Sequence, residues 1–272
     1  MQISFWSNMH GQGAVSTTIV AVASAIAQKT ALKTLIAHNH IERSALEGYL
    51  YKESRQSGHH MRSLSNQGID ALLRLMKNGR LKSEMITDYT YSILKNHRMD
   101  LLVGTEKKQK MAPEDQELFL RILSYAKDFY DLVIIDVHSG LKENNSLKIL
   151  QSSDVIVFCI NQNSFLLEDF TALLNEYEFF RWKRAIYVLS RYEKNSGMTT
   201  GNIARRYGIK KESIFEIPNS SRLLDALNTG RVYEYVAFNQ NTKQGEDKQI
   251  IDSLNKMCDY IIEGCKNVVG ND

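Results

Sequence analysis

The sequence predicts an α/β fold, a doubly wound and mostly parallel sheet flanked by helices, and three observations predict it. Short apolar runs at residues 3–6, 32–38, 130–136, 154–160, 185–192 and 214–218 are continuous rather than alternating, as strands buried on both faces are. Stretches with helical spacing separate them, and parallel neighbours need such crossovers. The runs at 3–6 and 130–136 also end in a glycine-bearing loop and in Asp136, at the edge where open α/β sheets place their sites.

Composition bounds the answer. With 272 residues, 43% hydrophobic and 24% charged, the chain is globular and long enough for one large α/β domain over 1–272. Only 2 prolines and 15 glycines leave no room for linkers or low complexity. The net charge of +3 is small, so composition gives nucleic-acid binding by the whole surface little support. Cys159, Cys258 and Cys265 form an odd set without paired spacing, which fits reduced thiols in a cytoplasmic protein. No apolar run approaches ~18 residues and no basic-then-apolar signal opens the chain, so neither a membrane span nor secretion is expected.

The first strand leads into Met9-His-Gly-Gln-Gly-Ala-Val-Ser-Thr-Thr18, and an apolar helical run follows at 19–27. Strand, glycine loop and helix in that order aim backbone N–H groups and the positive end of a helix at one spot, which holds a phosphate without side-chain charge. Against the pattern of glycine, four residues and Gly-Lys-Ser/Thr, His10 stands at the first glycine, Val15 at the second and Ser16 at the lysine. Thr17 keeps the hydroxyl that would ligate magnesium. The absent lysine is the group that stabilises charge during phosphoryl transfer.

Gly11-Gln-Gly-Ala-Val-Ser-Thr-Thr18 resembles the deviant phosphate loop of the ParA/MinD partition and positioning ATPases, Lys-Gly-Gly-Val-Gly-Lys-Thr-Thr. Gly11 replaces the signature lysine and Ser16 the second one, while Gly13, Thr17 and Thr18 match. The resemblance implies a P-loop NTPase-like fold that binds ATP or ADP with Mg2+ through Gly11, Gln12, Gly13, Ala14, Val15, Ser16, Thr17 and Thr18. It places Thr17 on the metal and implies a homodimer with nucleotide buried between subunits.

The run at 32–38 reads as the second strand. Where the family continues Ile-Asp-Ala-Asp, this chain has Ala37-His38-Asn39-His40, so both acidic positions are histidine. His38 and His40 could join His59 or His60 on a metal, but solvated or hydrogen-bonding histidines are the plainer reading. A protonated His38 near phosphate would supply charge that the loop lacks. Residues 41–66 read as a polar surface excursion. Its Arg43, Lys52, Arg55 and Arg62 are either solvated or contacts to a polynucleotide, which keeps DNA a candidate partner.

Helical spacing at 68–76, mixed signals at 81–94 and a strand at 99–104 follow. Pro113 then opens a helix over 114–130 with an acidic first turn, and Leu118, Leu120, Ile122, Leu123 and Ala126 form its core stripe. Tyr130-Asp-Leu-Val-Ile-Ile-Asp-Val-His-Ser-Gly140 delivers Asp136, which read alone is a site carboxylate or a turn cap. The segment resembles the family's Tyr-Asp-Tyr-Val-Ile-Ile-Asp-Thr-Pro-Pro/Gly. That likeness implies Asp136 as the catalytic carboxylate that holds magnesium through water, and Gly140 as the point where a switch loop moves.

A strand at 154–160 and a helix at 166–180 come next. Residues 185–192 resemble the family strand ending Val-Leu-Asn-Arg, with Ser190 in place of the adenine-contacting asparagine. Residues 214–218 and 221–230 resemble its late Ile-Pro and Ala-x-x-x-Gly segments, which puts Pro218 and Asn219 at the base. The apolar positions of 249–262 have helical spacing, and the polar side mixes Asp252, Asp259 and Glu263 with Lys256. It lacks the basic face that anionic lipid favours, so packing on the sheet is expected and a membrane role is not.

The resemblance covers residues 3–236. It implies positioning or partner recruitment, of the partition type or of the TadZ/CpaE-like pilus-assembly subgroup, whose relatives tolerate loss of the second lysine. Hydrolysis would be weak or absent, because Gly11, Ser16 and His38 remove both lysines and one carboxylate together. The competing reading is an active Mg-dependent ATPase for plasmid or chromosome partition with nonspecific DNA binding. The sequence does not name the recruited protein.

Overall fold

A computed structural model describes residues 1–40, 44–50, 67–107, 111–141 and 144–269. Eight strands form one sheet: β1 (Gln2–Trp6), β2 (Thr34–His38), β3 (Tyr91–Leu94), β4 (Met99–Leu101), β5 (Leu132–Asp136), β6 (Val155–Ile160), β7 (Arg184–Tyr192) and β8 (Ile214–Pro218). Their order is β3-β4-β2-β5-β1-β6-β7-β8. Every neighbouring pair is parallel except β3 with β4. β1 lies between β5 and β6, so connections diverge there to either side. The crevice outside its carboxyl end is the switch point at which such sheets bind ligands.

Alternation along β1 sets the two cores. Ile3 and Phe5 join α1 (Val15–Lys29) and the last helix, Glu246–Val269, on one face, while Trp6 joins the other. Trp6 is fully buried among Phe158, Phe170 and Phe180, with ring centroids 6.0, 6.5 and 6.0 Å away. That packing holds the end of β1, and hence the loop that follows it.

The expected strands form at or near the expected residues. α1 begins at Val15, two residues before Thr17. The helix Pro113–Ala126 stops short of residue 130, where the N–H groups of Lys127, Asp128 and Phe129 bond three residues back, tightening the chain into turns before β5 starts. Within the polar excursion, α2 (Ala45–Leu50) is helical with Leu46 buried. Arg43, Lys52, Arg55, His59, His60 and Arg62 lie outside the described residues. Strand β3 and the helices Asn144–Ser152, Thr200–Tyr207 and Val232–Asn239 were not expected.

The last helix buries Ile250, Ile251, Leu254, Met257, Cys258 and Ile261 against α1 and β8, so the packing reading of its apolar stripe holds. Among the described residues no helix is long and apolar enough to cross a membrane. Cys159 and Cys258 are buried free thiols.

Candidate phosphate-binding cleft

The loop between β1 and α1 is held from below. Gly13 lies so close to β6 that an added Cβ would meet the Cys159 carbonyl oxygen at 2.4 Å and Ser7 Oγ at 2.6 Å. Its own carbonyl accepts the Ser190 hydroxyl at 2.6 Å, and Asn161 donates to the Gln12 carbonyl at 3.2 Å. Gly11 at φ +73° and Ala14 at φ 48° adopt the left-handed conformation, which turns the chain sharply into α1. Ala14 caps the helix without a side-chain acceptor, so the first-turn N–H groups of α1 face solvent or a ligand.

Above the loop lies a cleft of about 260 Å³, lined by His10, Gly11, Gly13, Ala14, Val15, Ser16, Thr17, His40, Ser44, Ala45, Tyr49, Asp136, Ser139 and Arg191. It is smaller than whole-ligand pockets of about 300–1,000 Å³. A phosphate group fits, and a nucleoside would project beyond it.

Asp136 is 1% exposed at its side chain and sits on the cleft floor. Its Oδ2 accepts the Ser16 hydroxyl at 2.6 Å, and its Oδ1 faces His40 Nε2 at 3.1 Å without hydrogen-bond geometry. The hydroxyl beside the carboxylate is therefore that of Ser16, one residue before Thr17, although Thr17 also lines the cleft. Thr18 turns inward and donates to the Ala14 carbonyl.

His38 does not face the cleft. Its side chain is 2% exposed, and its Nδ1 accepts the His40 N–H at 3.2 Å, which leaves Nε2 to donate to Glu47 Oε1 at 2.9 Å. Glu47 also accepts the Gly104 N–H at 2.9 Å. The expectation of His38 beside phosphate is corrected on this ground: its ring does not line the cleft and is engaged by Glu47 and the His40 N–H. A chain of imidazoles, His38 to His40 to His138 to His10, has ring centroids 5.6, 5.4 and 6.0 Å apart. Among the described residues, no three His, Cys, Asp or Glu groups could hold a metal ion.

The resemblance to the ParA/MinD loop implies magnesium here, and the donor set does not fit it. Magnesium takes a near-octahedral shell of oxygens at short distance. The second strand ends in imidazoles instead of carboxylates, the Ser16 hydroxyl is spent on Asp136, and an imidazole nitrogen crowds the remaining carboxylate oxygen at 3.1 Å without bonding it, so the Thr17 hydroxyl is left without an open acidic partner.

Ser190 is 2% exposed and its hydroxyl braces the loop, so it presents nothing to a base. Pro218 and Asn219, at the end of β8, do not line the cleft. Gln12 also lies outside it and is exposed. Gly140, at φ +79°, is tied in place: its N–H donates to the Ser7 carbonyl and its carbonyl accepts from Trp6 Nε1.

Sequence reasoning missed Arg191 as a cleft residue. It stands at a register shift of β7 with φ 53°, a conformation that costs a non-glycine residue about 1–2 kcal/mol and aims it at the loop. Its match to the arginine in the quoted Val-Leu-Asn-Arg pattern was the available signal. Tyr49 and Ser44, which arrive from the segment carrying α2, had no signal in the local pattern.

A parallel sheet with a phosphate-type loop at its switch point defines the fold of P-loop nucleotide-binding proteins. More particularly, it is the fold of the ParA/MinD ATPases. A ParA family ATPase from Chlorobium tepidum TLS superposes with a TM-score of 0.72 at 19% identity, over 94% of this chain and 98% of that one. The MinC:MinD cell division complex of Aquifex aeolicus gives 0.70 at 13% identity, over 97% and 96%. A plasmid partition protein from Borrelia burgdorferi B31, bound to AMPPNP, gives 0.66 at 15% identity, over 96% and 98%. No protein-family model and no curated protein sequence matches the chain.

Proposed function

We propose that this chain is a ParA/MinD-like nucleotide-site protein that acts in positioning or partner recruitment, of the partition or pilus-assembly type, with weak or absent ATP hydrolysis. One arrangement carries the reading. Gly11, Gly13 to Ser16 at the start of α1, Asp136 and Arg191 converge on a phosphate-sized cleft that no lysine lines. Backbone N–H groups and a helix terminus attract an anion. Acceleration of phosphoryl transfer needs mobile charge on the transferred group and a placed water, which an imidazole pair and a serine at these positions do not provide. Binding without turnover suits a protein whose output is assembly. The superposing MinD stands in a complex with MinC, and a homodimer that also engages a partner protein is the corresponding expectation here.

The test is isothermal titration of ATP, with phosphate release measured on the same sample and on Ser16→Ala. Saturable micromolar binding, weakened in the variant and without phosphate release above buffer, is expected. No heat at any concentration would sink the reading. Turnover abolished by Asp136→Ala would favour the active partition ATPase instead.

A further inference from the structure

Resting on the nucleotide reading above, we infer that the cleft takes the phosphates of its ligand without magnesium, so that the species bound is the metal-free nucleotide polyphosphate. The residues themselves carry this. Asp136 has one oxygen on the Ser16 hydroxyl at 2.6 Å, and the other, which has no hydrogen-bond partner, is crowded by His40 Nε2 at 3.1 Å. A hydrated magnesium ion would need that second oxygen, and imidazole nitrogen belongs to softer metals. The buried carboxylate of Glu47, on α2 beside the cleft residues Ala45 and Tyr49, is committed to His38 and to the Gly104 N–H, so it offers no second acidic group.

The charge that magnesium would bring has a replacement in Arg191. It lines the cleft and has no carboxylate within ion-pair distance among the described residues. A guanidinium stays charged across the accessible pH range and binds phosphate through paired N–H donors. Its strained backbone directs it to the loop side of β7. With the start of α1, it offsets polyphosphate charge from the wall of the same cleft.

The experiment is isothermal titration of the full chain with ATP, once in excess EDTA and once in excess magnesium. Because excess magnesium leaves little free nucleotide, the apparent dissociation constant should be at least about tenfold weaker in magnesium than in EDTA. Equal or tighter affinity with magnesium would overturn the inference and leave the nucleotide reading standing. No heat in either buffer would instead fail that reading, and the inference with it. Arg191→Ala should weaken binding equally in both buffers, and weakening in magnesium alone would count against the inference. His40→Asp, checked for folding by its melting curve, should create a preference for magnesium. If it folds and shows none, His40 does not hold the ion's place.

Discussion

Gly13→Ala tests whether the loop is seated on β6 as described. The new Cβ would stand 2.4 Å from the Cys159 carbonyl oxygen, 2.6 Å from Ser7 Oγ and 2.7 Å from Ser7 Cβ. The serine hydroxyl can rotate away, but the carbonyl belongs to a central strand paired on both sides, so the loop must move instead. Overpacking of this kind costs about 1–3 kcal/mol, and a contact with backbone belongs near the upper end. At about 2–4 °C per kcal/mol, the melting temperature should fall by about 4–12 °C. Gly11→Ala is the control. Nothing lies within 4 Å of its added Cβ, and only the left-handed φ of +73° is penalised, by about 1–2 kcal/mol. Urea unfolding monitored by circular dichroism gives both values. A Gly13→Ala protein as stable as wild type, or more stable than Gly11→Ala, would refute the seating of the loop.

Removal of the Glu47 carboxylate by Glu47→Ala leaves the buried His38 ring and the Gly104 N–H without their acceptor, and should cost about 2–4 kcal/mol in urea unfolding. A loss below about 0.5 kcal/mol would mean that this network is not formed. Burial pushes the Cys258 thiol up to about 12 and also raises the Cys159 thiol and the Tyr130 phenol. Folding therefore keeps protons that the unfolded chain releases, so stability is complete below about pH 8.5, falls above it by about 1.4 kcal/mol per pH unit for each thiol, and falls for the phenol only above about pH 10. A urea midpoint unchanged between neutrality and about pH 10 would contradict this. Ser16→Ala should weaken ATP binding more than Thr17→Ala does, because the Ser16 hydroxyl reaches Asp136; titration of both variants decides, and the reverse order would restore Thr17 to that role.

The fold was legible because buried parallel strands are continuous apolar runs, and Asp136 and the loop glycines announce the edge where they meet. What was not legible depends on three-dimensional neighbours. That Ser16 rather than Thr17 meets Asp136 follows from α1 starting at Val15, a shift that the family pattern could not give once its lysines were gone. The burial of His38 depends on Glu47, nine residues away on α2 in a stretch that read as irregular. Ser190 reads as a weakened base contact until its hydroxyl is seen on the Gly13 carbonyl. Helices Asn144–Ser152 and Thr200–Tyr207 are short and polar at their starts, so no apolar stripe announced them.

The most direct measurement of the central claim is an amide proton–nitrogen correlation spectrum of the chain titrated with ATP. If the loop cradles phosphate, the largest shifts fall on the amides of Gly11 to Thr17, with smaller ones at Arg191 and at His138 to Gly140. Shifts concentrated elsewhere, such as the basic hollow around Arg181, Lys183 and Lys210, or no shifts at saturating ATP, would contradict a phosphate site at this cleft.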